Sequence, residues 1–224
     1  MDRTDVIRRG SAGPPPARSD VTRREPQDRT AGFLLVAALV ALMWAVEIVD
    51  LVAGDLDSAG IRPREPEGLV GVVLSPFLHG GFGHLIGNTI PFLLLGFTIA
   101  LGGLARVAVV TAVVALVGGL GTWLVAPANT VHIGASGIVF GYAGYLVARG
   151  VFSRSIGQIA LGVVVLAVWG TTLLRGLAPE TGISWQGHLF GAVGGVIAAR
   201  LLHRHALRVS GSPSGRPLTE MSRS

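Results

Sequence analysis

Three short motifs in this chain carry side chains suited to attack on a carbonyl, and each opens a long apolar run. The first is Ser136 within His132-Ile133-Gly134-Ala135-Ser136-Gly137-Ile138-Val139-Phe140. The second is His188 within Gly187-His188-Leu189-Phe190-Gly191. The third is His79-Gly80-Gly81-Phe82-Gly83-His84, with Asn88 one helical turn beyond His84. A hydroxyl supplies a nucleophile once an imidazole takes its proton, and imidazole or amide N–H groups stabilise the oxyanion that forms. The chemistry these types point to is hydrolysis of an acyl bond inside a membrane.

The composition explains why a membrane is the setting. Half of the 224 residues are hydrophobic and 14% are charged, against about 25% charged in a soluble domain. The mean hydropathy is +0.61. Long uncharged runs with this balance define a polytopic membrane protein. The 33 glycines, many of them inside the apolar runs, let helices approach closely where lipid provides little hydrophobic drive. There is no cysteine, which excludes disulfides, thiolate catalysis and cysteine-based metal sites. The net charge of +5 does not imply nucleic acid as a partner, because the arginines follow topology.

Residues 1–30 carry seven arginines and a Gly13-Pro14-Pro15-Pro16 run with no apolar periodicity, and read as a disordered basic tail. Six apolar segments follow, near 31–53, 84–101, 104–125, 136–150, 156–174 and 187–203, within a domain of 31–205. Residues 206–224 read as a second disordered tail. The expected fold is all-α, a bundle of six transmembrane helices. With the N-terminal tail cytoplasmic, only Arg62, Arg64 and Arg175 of the 18 basic residues fall outside. That bias matches the positive-inside rule and places both termini in the cytoplasm; the expected location is a bacterial plasma membrane. Spans two, four and six then enter from the outer side, so His84, Asn88, Ser136 and His188 share one depth. The outer connection 54–83 is expected to carry short apolar pieces lying on the bilayer.

Helical periodicity allows these groups to meet. His188, Gly191 and Gly195 lie on one face of span six, and Gly137, Gly141 and Gly144 form a face of span four one residue after Ser136. Two glycine faces can pack backbone to backbone. Ser136 stands at a helix N-terminus, where free N–H groups suit an anion, and Gly134 and Gly137 permit a tight entry. His84 and Asn88, at i and i+4, direct donors the same way.

Each motif also has an ordinary structural reading. Gly-x-Ser-Gly is a common small-residue helix start, His84 with Asn88 makes an interhelical polar clamp, and His79 fits the interface. A metal site from His79, His84 and His188 lacks a nearby carboxylate and the His-Glu-x-x-His pattern. Polar groups inside a membrane are costly, however, and are functional candidates by default.

Taken together, His79-x4-His84-x3-Asn88, Gly134-Ala135-Ser136-Gly137 and Gly187-His188-x2-Gly191-x3-Gly195 resemble the rhomboid family of intramembrane serine proteases over residues 75–200. The resemblance implies Ser136 as nucleophile and His188 as general base in a dyad. It implies His84, Asn88 and the Ser136 backbone N–H as the oxyanion site. It implies Gly191 and Gly195 as packing glycines, with His79, Gly134 and Gly137 in support and no cofactor. Phe140 stands where the family often has a tyrosine stacked on the histidine. The family's Trp-Arg pair in the first outer loop is absent; Arg62 and Arg64 are the nearest arginines. Glu47 and Asp50 have no family role and read as structural or interfacial.

The function expected is cleavage of transmembrane segments of other membrane proteins, single-pass or polytopic, within the lipid bilayer. The alternative is a catalytically silent relative that binds membrane clients. A small transporter is disfavoured by six unequal spans without an inverted repeat.

Overall fold

The computed structural model describes residues 18–210. Its helices are α1 (Arg18–Ala53), the four-residue α2 (Gly71–Leu74), α3 (Phe82–Ala100), α4 (Leu104–Val125), α5 (Ser136–Ser153), α6 (Ile156–Gly176) and α7 (Trp185–Ser210). Three short 3-10 turns at Leu56–Ala59, Pro66–Leu69 and Ser75–Phe77 shape the connection between α1 and α3. Among the described residues there is no β-strand, only an isolated antiparallel bridge between Ile61 and His132. The protein is an all-helical integral membrane bundle.

Each expected apolar segment is a helix, and α3 to α6 begin and end within three residues of the periodicity reading. The outer helices differ. The helix of the first span begins at Arg18, so residues 18–30, expected in the disordered tail, are helical. Extending a helix that the apolar span has already nucleated adds one hydrogen bond per residue and needs no new nucleus. Asp28 also anchors the extension, because its Oδ1 accepts the Leu104 N–H at 3.1 Å where α4 begins. Similarly α7 continues to Ser210, beyond the expected limit at 205. The rest of both expected tails, 1–17 and 211–224, lies outside the described residues.

Among the described residues, four helices are long and apolar enough to cross a membrane: Pro26–Ala53 within α1, α3, α4 and α6. The two that fall short are α5 and α7, which carry Ser136 and His188. They pack against each other more extensively than any other pair, and α5 also touches α3, α4 and α6. α5 is largely buried among these neighbours, whereas α7 leaves Leu189, Val193, Val196, Ile197 and Leu201 exposed. Tyr142 and Tyr145 of α5 are fully buried, with Phe92 and Leu95 of α3 and Val110 and Val114 of α4 in the same core. α6 packs chiefly on α5 and leaves Val163, Val164, Val168 and Leu174 exposed on its other faces.

Glycine sets the α5–α7 spacing. A methyl group at Gly191 would strike the Gly137 carbonyl oxygen, and one at Gly195 would strike the Gly141 carbonyl oxygen. One at Gly144 would lie 2.7 Å from the Ala192 oxygen. These are the two faces expected from the spacing. Because the obstacle is backbone rather than a movable side chain, Gly191→Val should cost about 3 kcal/mol, the upper end of the overpacking range. A thermal unfolding scan in detergent that leaves the transition within a degree of the parent would contradict this close approach.

Candidate active site

Ser136 is the first residue of α5. Gly134, two residues earlier, has φ +105°, a conformation that L side chains rarely adopt. This turn lets the chain enter α5 with Ser136 at the N-terminus. The Ser136 and Gly137 N–H groups make no backbone hydrogen bond among the described residues, as expected for the first turn of a helix.

His188, in the first turn of α7, is 8% exposed, and its Nε2 lies 2.8 Å from Ser136 Oγ. Its Nδ1 lies 2.7 Å from the Gly176 carbonyl oxygen at the end of α6. A carbonyl oxygen only accepts, so Nδ1 carries the proton in the neutral ring. Nε2 is then a free lone pair facing the serine, and the Ser136 hydroxyl donates to it. The Phe140 ring lies parallel to the imidazole, with centroids 4.1 Å apart and 6° between planes. Position 140 therefore presents the stacked ring without a phenolic hydroxyl.

His84 and Asn88 reach the same place from α3. A Cβ at Gly134 would lie 2.7 Å from His84 Nε2 and 3.6 Å from Asn88 Nδ2, so both donors border the turn that leads into Ser136. Asn88 is 5% exposed, and its Nδ2 is buried without a hydrogen-bond partner. An unsatisfied buried donor costs about 1–3 kcal/mol, and here it is held beside the serine.

Of the two readings of His79, supporting residue or interfacial side chain, the burial favours the first. His79 is 1% exposed, edge-on to His84 with centroids 5.1 Å apart. Its Nε2 accepts the Ala135 N–H at 3.4 Å, so it supports both His84 and the turn before Ser136. Burial, with a smaller contribution from His84, pushes its pKa down to about 4, which keeps the ring neutral and the acceptor available.

A cleft of about 1130 Å³ opens onto the site, lined by His84, Asn88, Ser136, Phe140, Trp169 and His188. Behind Ser136 a smaller cavity of about 40 Å³ is bordered by the side chains of Ser75, Thr122, His132 and Ser184. The lining also includes Ile61, Val72, Val114 and Ile138, and the volume exceeds the roughly 10–15 Å³ that one water needs.

The open questions on the loop between α1 and α3 resolve into structure. Arg64 Nη1 donates to the carbonyls of Leu124 at 3.1 Å and Ala126 at 2.7 Å, and Trp123 Nε1 donates to the Glu65 carbonyl at 2.8 Å. Arg64 thus fastens the loop to the end of α4. Arg62 only pairs with Glu65 at 3.4 Å on the surface, a contact worth about 0–1 kcal/mol. Asp50 Oδ1 accepts the Leu56 N–H at 2.6 Å, and Glu47 is buried with its Oε2 lacking a hydrogen-bond partner among the described residues. Asp50 thus fastens the start of the loop. Asp57 nearby has its pKa raised, first by burial and then by Asp50.

Sequence reasoning gave no role to Gly176, His132 or Ser184. Gly176 acts through a backbone carbonyl, which no residue type announces. His132 and Ser184 left a signal: each stands four residues before a member of the Ser136–His188 pair.

A family model of the Rhomboid domain matches residues 66–205. The chain is 44% identical over 200 residues to an uncharacterized protein of Mycobacterium tuberculosis, covering 83% of each chain. It is 42% identical over 200 residues to an uncharacterized protein of Mycobacterium leprae, covering 83% of this chain and 79% of that one. It is also similar to a Bacillus subtilis protein named "Putative rhomboid protease YdcA", with 31% identity over 126 residues, 55% of this chain and 62% of that one.

Proposed function

The chain belongs to the rhomboid family, and from that premise we propose that it is an intramembrane serine endopeptidase that cleaves transmembrane segments of other membrane proteins. The observation that carries this reading is the 2.8 Å contact between Ser136 Oγ and His188 Nε2, with the imidazole tautomer set by the Gly176 carbonyl.

The steps follow from the geometry. Ser136 Oγ attacks the scissile carbonyl while His188 Nε2 takes its proton. The oxyanion is received by His84, Asn88 and the Ser136 N–H. His188 then returns the proton to the leaving amine, and an acyl-enzyme remains on Ser136. Water deprotonated by His188 attacks that ester and restores the serine. The arginine bias argues for cytoplasmic termini and a site in the outer half of the membrane, with water arriving through the cleft from that side. A substrate helix hides its carbonyls in hydrogen bonds, so segments with small or helix-destabilising residues are the better substrates.

The test is cleavage of a panel of single-span proteins by the purified chain in liposomes, with product masses locating the cut, alongside labelling by a fluorophosphonate. If no panel member is cut and no probe labels Ser136, the alternative of a silent client-binding relative gains the ground. Asn88→Ala should lower kcat by about 10²–10³-fold, or about 3–4 kcal/mol of transition-state stabilisation. Its unfolding temperature should fall by no more than about 2 °C, because the lost N–H makes no hydrogen bond in the resting protein.

A further inference from the structure

A second serine–histidine contact lies one step outward from the first. His132 Nδ1 and Ser184 Oγ are 2.8 Å apart, the same distance as Ser136 and His188, and both pairs are separated by 52 residues in the chain. The segments 132–136 and 184–188 therefore run side by side in register, each with one member of each pair, in opposite order.

The protons on this outer pair can be assigned. Thr130 Oγ1 donates its single proton to the Pro127 carbonyl at 2.6 Å. It can then only accept from His132 Nε2 at 2.9 Å, so Nε2 carries the ring proton. Nδ1 is left as an acceptor, and Ser184 Oγ–H donates to it. Burial lowers the His132 pKa, which favours this neutral ring. The backbone of His132 exchanges both hydrogen bonds with Ile61, at 3.0 Å and 2.9 Å, fixing the residue to the first outer loop.

Ser184 leads directly back to the dyad. It immediately precedes α7, and its carbonyl accepts the His188 N–H at 3.1 Å. The contacts close a ring: His132 to Ser184 through side chains, Ser184 to His188 through the helix turn, His188 to Ser136 through the dyad, and Ser136 to His132 along the chain. A slide of the α7 entrance against the α5 entrance would lengthen both contacts together, so the outer contact resists the same displacement that would part His188 from Ser136.

We propose that His132 and Ser184 are a positioning pair that holds the entrances of α5 and α7 in the register at which His188 reaches Ser136. This inference rests on the reading of Ser136 as a nucleophile. The energetic case is that a reacting pair displaced by about 1 Å loses on the order of 10²-fold in rate, whereas a single neutral hydrogen bond contributes only about 0.5–1.5 kcal/mol to stability. Loss of the outer contact should therefore affect reactivity far more than folding.

The test uses the full chain in detergent, with the rate of fluorophosphonate labelling of Ser136 and the unfolding temperature measured on each variant. Asn places an acceptor at the Nδ1 position and Gln places a donor at the Nε2 position, so His132→Asn keeps the contact to Ser184 and His132→Gln keeps only that to Thr130. Ser184→Ala and His132→Gln should label at least tenfold more slowly than the parent at nearly unchanged unfolding temperature. Ser184→Thr and His132→Asn should stay within about threefold. Parental labelling by Ser184→Ala overturns the proposal. So does a loss that follows the unfolding temperature across the set, or one equal in His132→Asn and His132→Gln. A parent chain that neither labels nor cleaves would instead remove the protease reading itself.

Discussion

Ser136→Ala should lower cleavage of a single-span substrate by about 10⁴–10⁶-fold while the protein remains folded. The size follows from the route that is lost. Without Oγ no acyl-enzyme forms, and only the donors and bound geometry remain, which in serine hydrolases leave about 10³–10⁴-fold over the uncatalysed reaction. The structural cost is small. His188 loses one hydrogen bond but keeps the Gly176 carbonyl at 2.7 Å and the stacked Phe140 ring, so destabilisation should be about 1 kcal/mol. Proteoliposome cleavage read by mass, with an unfolding scan on the same preparation, checks both parts. A folded Ser136→Ala protein that cuts within tenfold of the parent would remove Ser136 as the nucleophile.

His188→Ala should cause a loss of similar size, and the double variant Ser136→Ala/His188→Ala should be scarcely worse than either single one. Residues that act in one proton transfer fail together, so their effects do not add. The alternative in which His188 is a packing residue predicts otherwise. In that case the double variant would lose the product of two independent effects, and the single variant would lose activity only as it lost stability. Removing the ring also leaves the Gly176 carbonyl without its donor and Phe140 without its stacked partner, so the unfolding temperature should fall more than for Ser136→Ala. Comparison of single and double variants at a temperature where all remain folded separates these readings. Activity in His188→Ala within tenfold of the parent would exclude it as the base.

Much of this arrangement was legible before folding. The start of α5 at Ser136 follows from Gly134 and Gly137 flanking a serine ahead of an apolar run. The α4 bounds follow from a long apolar run between Gly103 and Ala126 in which Arg106 is the one charged residue. The glycine faces of α5 and α7 announced their own contact, because only a residue without Cβ permits the approach of Gly191 to the Gly137 carbonyl. Less legible were the helix ends outside the apolar runs. Arg18–Thr30 has a polar composition that matches a tail, and a contact 76 residues away, from Asp28 to Leu104, fastens it.

The boundary between the two kinds of information is physical. The sequence by itself determined the membrane setting, the helical segments and the residue types able to act on a carbonyl, since each depends on local spacing and composition. Only the tertiary structure decided which nitrogen of His188 faces the serine, because its partner is the Gly176 backbone carbonyl, a group present at every position in any chain. It also decided that Arg64 fastens the loop between α1 and α3, through carbonyls of Leu124 and Ala126. The same holds for the alignment of His132 with Ser184 in register with Ser136 and His188. Periodicity reports the face on which a side chain lies, but the relative height of two helices is set by contacts between segments far apart in the chain.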